Sequence, residues 1–318
     1  MAVGAVNTIL TEKTVHASAQ SEIAMELSTG TVLAETNAMA KLPMASTTKI
    51  LTALIVIEDC NIDKVIQVPD CAVGVEGSSI YLKKEEHISI RDLLYGLLLR
   101  SGNDSAVALA VHHSGSIEKF AQAMNERAKK IGAENSNFTN PSGLPDPSHY
   151  TTAQDLCKIA CYAMKNKLFK EIVSTKEYSG EFRSFANKNK MLRLYEGANG
   201  VKTGYTVKAG RCLVSSAERN GMDIVCVVLN CPDMYQRSAD IFDSCFKNFK
   251  LLKLDTDKVF SCGNAICKLK EPVNLVLKTD CNIEYKTTLL DSDNDGAIAQ
   301  LEISDKNSLL FTEKLYSI

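Results

Sequence analysis

A serine and a lysine three residues apart, Ser46 and Lys49, are the first side chains in this sequence that could do chemistry together. On a helix, residues three apart share a face, so the hydroxyl and the amine can approach within hydrogen-bond distance. A serine is a poor nucleophile until a base removes its proton, and a lysine can be that base only if its pKa falls. The pair alone fits equally well an N-capping serine beside a solvated lysine.

Ser101-Gly102-Asn103 interrupts an apolar helical stretch with a glycine. A helix break at this point places a hydroxyl and a carboxamide on a tight loop. These groups suit proton relay and a hydrogen bond to a substrate amide. Considered alone, the motif is also an ordinary turn between helices.

Lys202-Thr203-Gly204 lies on a predicted strand. Lys202 can supply a second cation that depresses the pKa of Lys49, and Thr203 can bind a substrate carboxylate. Gly204 lets a substrate backbone lie flat against the strand. An exposed edge strand, where lysine is common, is the alternative interpretation.

The elements around these motifs follow from hydrophobic periodicity and turn residues. Ser89 with Asp92, and Thr152 further on, predict helix N-termini. The expected helices are 46–58, 89–98, 104–112, 117–130, 152–167 and 236–252, and the expected strands are 21–27, 31–35, 201–205, 211–218 and 222–229. Strands on both sides of a helical block predict an α+β arrangement, a sheet covered by helices.

A chain of 318 residues is longer than one average domain. We expect a large domain over 21–254 and a small all-β domain over 255–318, where the period is near two. Residues 1–20 are expected to be a leader remnant or disordered. Ala17-Ser18-Ala19 has the small-residue pattern of a signal-peptidase site, but no basic and apolar leader precedes it. A lost leader and a chance match both remain open.

Composition excludes several classes of function. The net charge of −2 and the absence of a basic stripe argue against a nucleic-acid partner. The longest apolar helical run, 50–57, is too short to span a membrane. Eleven cysteines without two-residue spacing are interpreted as buried free thiols, with one or two disulfides as the alternative.

No metal or organic cofactor is expected. The five histidines show no ligand spacing. Asp291, Asp293, Asp295 and Glu302 fit the spacing of a calcium loop, but that loop needs flanking helices. The flanking segments 285–290 and 297–303 alternate like strands, so we expect a hairpin at this place.

The three motifs occur once each in the order S-x-x-K, S-x-N and K-T-G, a set shared by penicillin-binding proteins and class A β-lactamases. Residues 21–246 resemble the low-molecular-weight penicillin-binding proteins, the D-alanyl-D-alanine carboxypeptidases. The segments 138–144 and 149–155 are similar to a loop and helix of that family, in which many members carry histidine where this chain has Ser142. The resemblance implies a β-lactamase/transpeptidase-like fold with an antiparallel sheet flanked by helices.

Carried over by position, the resemblance implies Ser46 as nucleophile, Lys49 as general base and backbone N–H groups of Ser46 and Tyr205 as the oxyanion hole. Its other implied site residues border the site, line the substrate strand or, in one case, hold the substrate's terminal carboxylate. These are Ser101 and Asn103, Lys202, Thr203 and Gly204, and Arg237.

The implied activity is removal of the terminal D-alanine from peptidoglycan stem pentapeptides outside the cytoplasmic membrane, with covalent inhibition by β-lactams. The family's membrane-associating C-terminal segment is not evident after Phe311. A β-lactamase is the nearest alternative, but no glutamate between Asn103 and Lys202 has asparagine four residues later, as that class would. A catalytically idle wall-binding protein is the other, although it need not keep Ser46 and both lysines.

Overall fold

The computed structural model describes residues 19–290, 295–306 and 308–317. Its strands, in chain order, are β1 (Ser21–Glu26), β2 (Val32–Thr36), β3 (Val65–Gln67), β4 (His87–Ser89), β5 (Glu177–Ser179), β6 (Ser184–Ala186), β7 (Ala198–Thr206), β8 (Gly210–Arg219), β9 (Met222–Leu229), β10 (Phe249–Leu254), β11 (Val259–Cys262), β12 (Ala265–Lys268), β13 (Val273–Lys278), β14 (Ile283–Leu289), β15 (Ala297–Asp305) and β16 (Ser308–Ser317). Its α-helices are α1 (Lys49–Asp59), α2 (Ile90–Leu99), α3 (Asn103–Ser114), α4 (Ile117–Ile131), α5 (Ala153–Lys165), α6 (Lys167–Ser174), α7 (Met191–Leu194) and α8 (Met234–Asn248).

An antiparallel sheet in the order β2-β1-β9-β8-β7 separates two layers of helices. Alternate side chains of β9 enter different cores, because successive residues of a strand point to opposite faces. Val225 and Val227 join the core formed with α1 to α6, whereas Ile224 and Val228 join the core formed with α8. The expected fold class, an antiparallel sheet flanked by helices, is confirmed.

Capping side chains set the helix starts that the sequence predicts. The Ser89 hydroxyl accepts the Asp92 N–H at 3.0 Å, and Thr152 accepts the Asp155 N–H at 3.1 Å. The predicted helix over 152–167 is interrupted, however. Asn166 caps a separate helix, α6, by accepting the N–H groups of the two residues at 168 and 169.

The end predicted for the last helix, at residue 252, is wrong, because α8 ends at Asn248 and 249–254 form β10. This strand pairs with β13. Its apolar residues serve two cores: Leu251 packs against the core beneath α8, whereas Leu252 and Leu254 contact the C-terminal core. Side chains that alternate between two cores need period two, which a helix cannot supply. The domain boundary at 254 remains a prediction.

The C-terminal strands form their own sheet, in the order β11-β12-β16-β15-β14. The strands β14 and β15 pair antiparallel, with Leu289 opposite Ala299, as the alternating pattern predicts. Residues 291–294 of the predicted hairpin lie outside the described residues, as do 1–18 of the predicted leader remnant. Within the described ranges, no helix is both long and apolar enough to cross a bilayer.

Candidate active site

Ser46 lies in a single 3-10 turn, Ala45–Thr48, that leads directly into α1. The turn begins in the left-handed region, with Ala45 at φ 50°. It is fastened by side chains of its own, since Thr47 donates to the Met44 carbonyl at 2.7 Å and Thr48 to the Ala45 carbonyl at 2.9 Å. Ser46 is the half-buried member of an otherwise buried turn, so its hydroxyl alone faces the adjoining cavity.

Lys49, the first residue of α1, is fully buried behind the serine. Its Nζ lies 2.9 Å from Ser46 Oγ, 2.7 Å from Asn103 Oδ1 and 2.5 Å from the Ser142 carbonyl. Burial, followed by the charge of Lys202, lowers the pKa of Lys49 well below its usual value. The predicted proximity of Ser46 and Lys49 is therefore present, and the environment favours the neutral amine.

The loop that contains Ser142 and Gly143 adjoins both Lys49 and the turn that carries Ser46. Lys49 uses the backbone carbonyl of Ser142, so the side chain is not needed for it. The neighbouring Gly143 could not carry a larger side chain, because it has φ 82° and a Cβ at this position would lie against the Ala45 carbonyl. The loop thus packs directly on the turn that carries Ser46.

Ser101 and Asn103 come from the junction of α2 and α3, as predicted. Ser101 is left-handed at φ 65° and lines the cavity. Asn103 begins α3, and its amide donates to the Glu76 carbonyl at 2.6 Å while its oxygen accepts from Lys49. Both ends of the carboxamide are therefore occupied, which fixes its orientation.

Lys202 lies on β7 and is 2% exposed, with Nζ donating to the Thr203 carbonyl at 2.8 Å. Burial, with a smaller effect from the charge of Lys188, lowers the pKa of Lys202 to about 7. The pKa values of both buried lysines are thus lowered, with burial as the largest cause in each case. The sequence predicts a second cation near Lys49, Lys202, but does not indicate Lys188 as a third.

Gly204 has a reason for being glycine beyond the one predicted. A Cβ at this position would lie 3.0 Å from the Met44 carbonyl and 3.1 Å from the Ser46 nitrogen. The edge strand β7 therefore touches the backbone of the Ser46 turn. Any larger residue would push the strand and the nucleophile apart.

A cavity of about 440 Å³ opens at this junction. It brings together five of the predicted residues, while Lys49, Asn103 and Lys202 lie buried behind its wall. Five further residues line it that the sequence did not indicate. The full lining is Ser46, Ser78, Ser101, Lys188, Thr203, Gly204, Tyr205, Arg211, Met234 and Tyr235.

Arg237 is not brought to this cavity. Its guanidinium is bound to Glu22 on β1, with Nε to Oε2 at 2.8 Å and Nη2 to Oε1 at 2.5 Å. The Glu22 side chain is only 6% exposed, and a buried carboxylate needs such a partner. The structure therefore does not support the predicted role of Arg237 in binding a substrate carboxylate. The short motif match could not reveal Glu22 as the partner, since it lies 215 residues away in the sequence.

Asp104, directly after the Ser-Gly-Asn motif, fastens the loop that forms one wall of the cavity. Its buried carboxylate accepts the Ser79 hydroxyl at 2.5 Å and the N–H groups of Ile80 and Leu82 at about 3 Å. The same loop contributes Ser78 to the cavity. The sequence carries one signal of this role, a charged residue at the start of a buried helix.

His149 supports the turn from below. Its Nδ1 accepts the Thr139 N–H at 3.0 Å, which leaves the proton on Nε2 to donate to Thr48 Oγ1 at 2.8 Å. Burial lowers the pKa of His149 to about 4, so the ring is neutral at physiological pH. The histidine thus acts on the nucleophile's turn and does not contact Ser46 or Lys49 in the hydrogen bonds that the described residues make.

The sequence of this chain is similar to those of known peptidases. Residues 8–233 match the model of the D-alanyl-D-alanine carboxypeptidase family of peptidases. The chain is 31% identical over 262 residues to the D-alanyl-D-alanine carboxypeptidase DacF of Bacillus subtilis, covering 79% of this chain and 67% of that protein. It is 36% identical over 239 residues to a D-alanyl-D-alanine carboxypeptidase of a Streptomyces species, covering 68% and 82%.

Among solved structures, penicillin binding protein 5 of Haemophilus influenzae superposes with a TM-score of 0.81. The alignment covers 99% of this chain and 98% of that one at 24% identity. This likeness concerns the fold, and it extends through the C-terminal strands as well as the helical part.

Proposed function

This chain belongs to the D-alanyl-D-alanine carboxypeptidase family, and we propose that it releases the terminal D-alanine of peptidoglycan stem pentapeptides through an acyl-enzyme on Ser46. The observation that carries this assignment of roles is the set of contacts around Lys49. Carbonyl oxygens of Asn103 and Ser142 can only accept, so they take the two hydrogens of a neutral amine. The remaining lone pair is then available to Ser46 Oγ at 2.9 Å.

In the first half-reaction, Lys49 takes the Ser46 proton as Oγ attacks the carbonyl between the two D-alanines. The negative charge that forms on the carbonyl oxygen is stabilised by the backbone N–H groups of Ser46 and Tyr205, the oxyanion hole that the family resemblance suggests. The C–N bond then breaks, and the proton held by Lys49 goes to the leaving amine of D-alanine. We propose that Ser101, which lines the cavity, relays this proton.

In the second half-reaction, water attacks the ester carbonyl and Lys49 again removes the proton. The bond to Ser46 breaks, and Oγ recovers its hydrogen. The scheme uses no metal or organic cofactor at any step. Lys49 serves as the base in both half-reactions. It can do so because burial and the charge of Lys202 already lower its pKa in the free protein.

The same nucleophile would attack the strained amide of a β-lactam, giving an ester in which the leaving amine remains tethered. We propose covalent inhibition on this basis. The family match favours this peptidase activity over the alternatives of a β-lactamase or an idle wall-binding protein. Because the proposed substrate is peptidoglycan, we propose that the protein acts outside the cytoplasmic membrane, with peripheral association with that membrane.

The test is release of D-alanine from a synthetic pentapeptide ending in D-Ala-D-Ala. The wild type should release D-alanine, whereas Ser46→Ala and Lys49→Met should release none above background. Thermal melting of both variants would establish that they are folded. Release by folded Ser46→Ala at the wild-type rate would remove the serine from the mechanism.

A further inference from the structure

The chain is locally basic where it borders the active-site cavity. Between Arg183 and Arg211 it carries seven basic residues and one acidic residue, although the net charge of the whole chain is −2. Two of the seven, Arg183 and Arg193, form ion pairs with glutamates, and Lys202 is buried. The other four are exposed and make no ion pair within the described residues. These four, here called the mouth cluster, are Lys188, Lys190, Lys208 and Arg211.

All four members of the mouth cluster belong to segments that form the rim of the cavity. Lys188 and Arg211 line it. The backbone N–H of Lys190 donates at 3.4 Å to the hydroxyl of Tyr235, another lining residue. Lys208 lies in the turn between β7 and β8, three residues before Arg211. The cluster therefore borders the opening from two separate segments of the chain.

The segment with Lys188 and Lys190 holds both lysines outward. Its residues alternate, with Asn187 and Asn189 buried and the two lysines exposed. The Asn187 side-chain oxygen accepts the Asn189 N–H at 2.9 Å, and that of Asn189 accepts the Met191 N–H at 3.1 Å. The buried amides thus fix the backbone from the inside and leave the amines free on the surface.

The turn between β7 and β8 presents Lys208 in a similar way. The Ala209 N–H donates to Thr206 Oγ1 at 3.0 Å, and Ala209 itself is buried. Lys208 is thus carried on a closed turn, and its amine can meet a ligand without rearrangement of the backbone, which lowers the cost of binding.

The surroundings of the cluster favour an anionic ligand. Clustered cations without a counter-ion repel one another, and a bound anion relieves this repulsion. After burial, the charge of Arg100 lowers the pKa of Lys188, and the charge of Lys188 lowers the pKa of Lys202. Among the described residues that line the cavity there is no aspartate or glutamate. The rim therefore suits a ligand that carries several negative charges.

A peptidoglycan strand is such a ligand. Every stem peptide ends in a carboxylate, before the terminal D-alanine is removed and after, so the polymer presents a series of negative charges. The site has one nucleophile, Ser46, and acts on one stem at a time. The neighbouring stems then lie over the rim, where Lys190 and Lys208 stand outside the lining of the cavity.

We propose that Lys190 and Lys208 hold the protein on polymeric peptidoglycan by contacting carboxylates of stem peptides next to the one in the cavity. This inference rests on the proposed function, because its partner is the polymer that bears the proposed substrate. Each contact is exposed and therefore weak, so binding depends on several contacts together and falls as the salt concentration rises. A soluble pentapeptide has no neighbouring stems to offer to this surface.

The test is co-sedimentation of the whole chain, as Ser46→Ala, with insoluble peptidoglycan stripped of other wall polymers, at low and high salt. The Ser46→Ala background keeps the polymer unaltered during the measurement. Adding Lys190→Glu and Lys208→Glu should weaken binding at low salt about fivefold or more, because two attractions become repulsions. Lys190→Gln with Lys208→Gln should give a smaller loss. Peptidoglycan whose carboxylates have been amidated should bind the Ser46→Ala protein as weakly as the charge-reversed variant binds the untreated polymer.

Lys165→Glu with Lys167→Glu is the matched control, since it changes the net charge by the same amount. Both lysines are exposed, at the junction of α5 and α6. Lys170 of α6 pairs with Asp223, which lies opposite Glu218 at the far end of β8 from the cavity. This variant should bind peptidoglycan like the Ser46→Ala protein, and all variants should keep its melting temperature.

Equal losses in the two charge-reversed variants would overturn the inference, as would undiminished binding after Lys190→Glu and Lys208→Glu or strong binding to the amidated polymer. Loss of binding to phosphatidylglycerol vesicles, with binding to peptidoglycan intact, would assign the surface to a membrane and also overturn it. The proposed function has a separate readout, D-alanine release from the pentapeptide by wild type, so the failure of one is distinguishable from the failure of the other.

Discussion

At the scale of single residues, the site depends on two lysines that the fold keeps from water. Lys49 has two acceptor-only partners and one hydroxyl, and Lys202 has the Thr203 carbonyl. Neither lysine has a carboxylate partner among the ion pairs of the described residues. Burial therefore acts unopposed by a direct counter-ion, and both pKa values fall. A lysine whose pKa is lowered by burial can serve as a base near neutral pH.

Replacing Lys202 tests the electrostatic part of this argument. Lys49 is active when neutral, so acylation is lost as the pH falls through the pKa of Lys49. Lys202 is the second cause of the lowering of that pKa, after burial. Lys202→Met removes a positive charge, the pKa of Lys49 rises, and the acid limb of the acylation rate should move to higher pH. The measurement is the pH profile of the acylation rate constant.

Lys188→Met is the control for this prediction, because Lys188 lowers the pKa of Lys49 less than Lys202 does. It should move the acid limb in the same direction by a smaller amount. An acid limb that stays in place or moves to lower pH in Lys202→Met would show that Lys202 does not set the base. The effects are best compared at low salt, where screening is weakest.

At the scale of elements, the site is a junction held by side chains from outside the three motifs. His149 and the loop at Ser142 support the Ser46 turn, and Asp104 fastens the loop over 78–82 to the start of α3. Asp104 also acts on Lys49 from a distance, because its negative charge raises the lysine's pKa. The element that shapes the cavity thus opposes the lowering of that pKa.

Asp104→Asn should therefore shift the acid limb of acylation to lower pH, the opposite of Lys202→Met. The variant should also lose about 1–3 kcal/mol of unfolding free energy, since three neutral donors lose a charged acceptor. Asp155→Asn is the control: Asp155 is likewise buried at a helix start and holds a loop. It should lower stability and leave the pH profile unchanged. Equal profiles for the two variants would contradict the electrostatic role of Asp104.

The sequence predicts what is local in this site and misses what is brought together by packing. The proximity of Ser46 and Lys49 follows from one helical turn, and the strand with Lys202 follows from its flanking turns. Arg211 and Lys188 carry no local signal, because their relation to Ser46 depends on sheet register and loop course. The end predicted for α8 is wrong for the same reason. Residues 249–252 of the predicted helix belong to a strand, because two cores flank them.

At the scale of the whole molecule, the site lies at the β7 edge of the central sheet, and residues from both helical layers line it. The turn with Ser46 is pressed against the edge strand β7, and the neighbouring strand β8 carries Arg211 to the same cavity. Eight of the eleven cysteines are buried, most of them in the cores on either side of this sheet, where a thiol packs as a small apolar side chain. The C-terminal strands have a core of their own.

The central claim is that Ser46 is the nucleophile and that Lys49 activates it. The most direct measurement is intact-protein mass spectrometry after treatment with benzylpenicillin, followed by peptide mapping. The account predicts one covalent adduct, located on Ser46, in wild type, and no adduct in folded Ser46→Ala or Lys49→Met. An unmodified wild-type mass, an adduct on another residue, or labelling of Lys49→Met at the wild-type rate would contradict it.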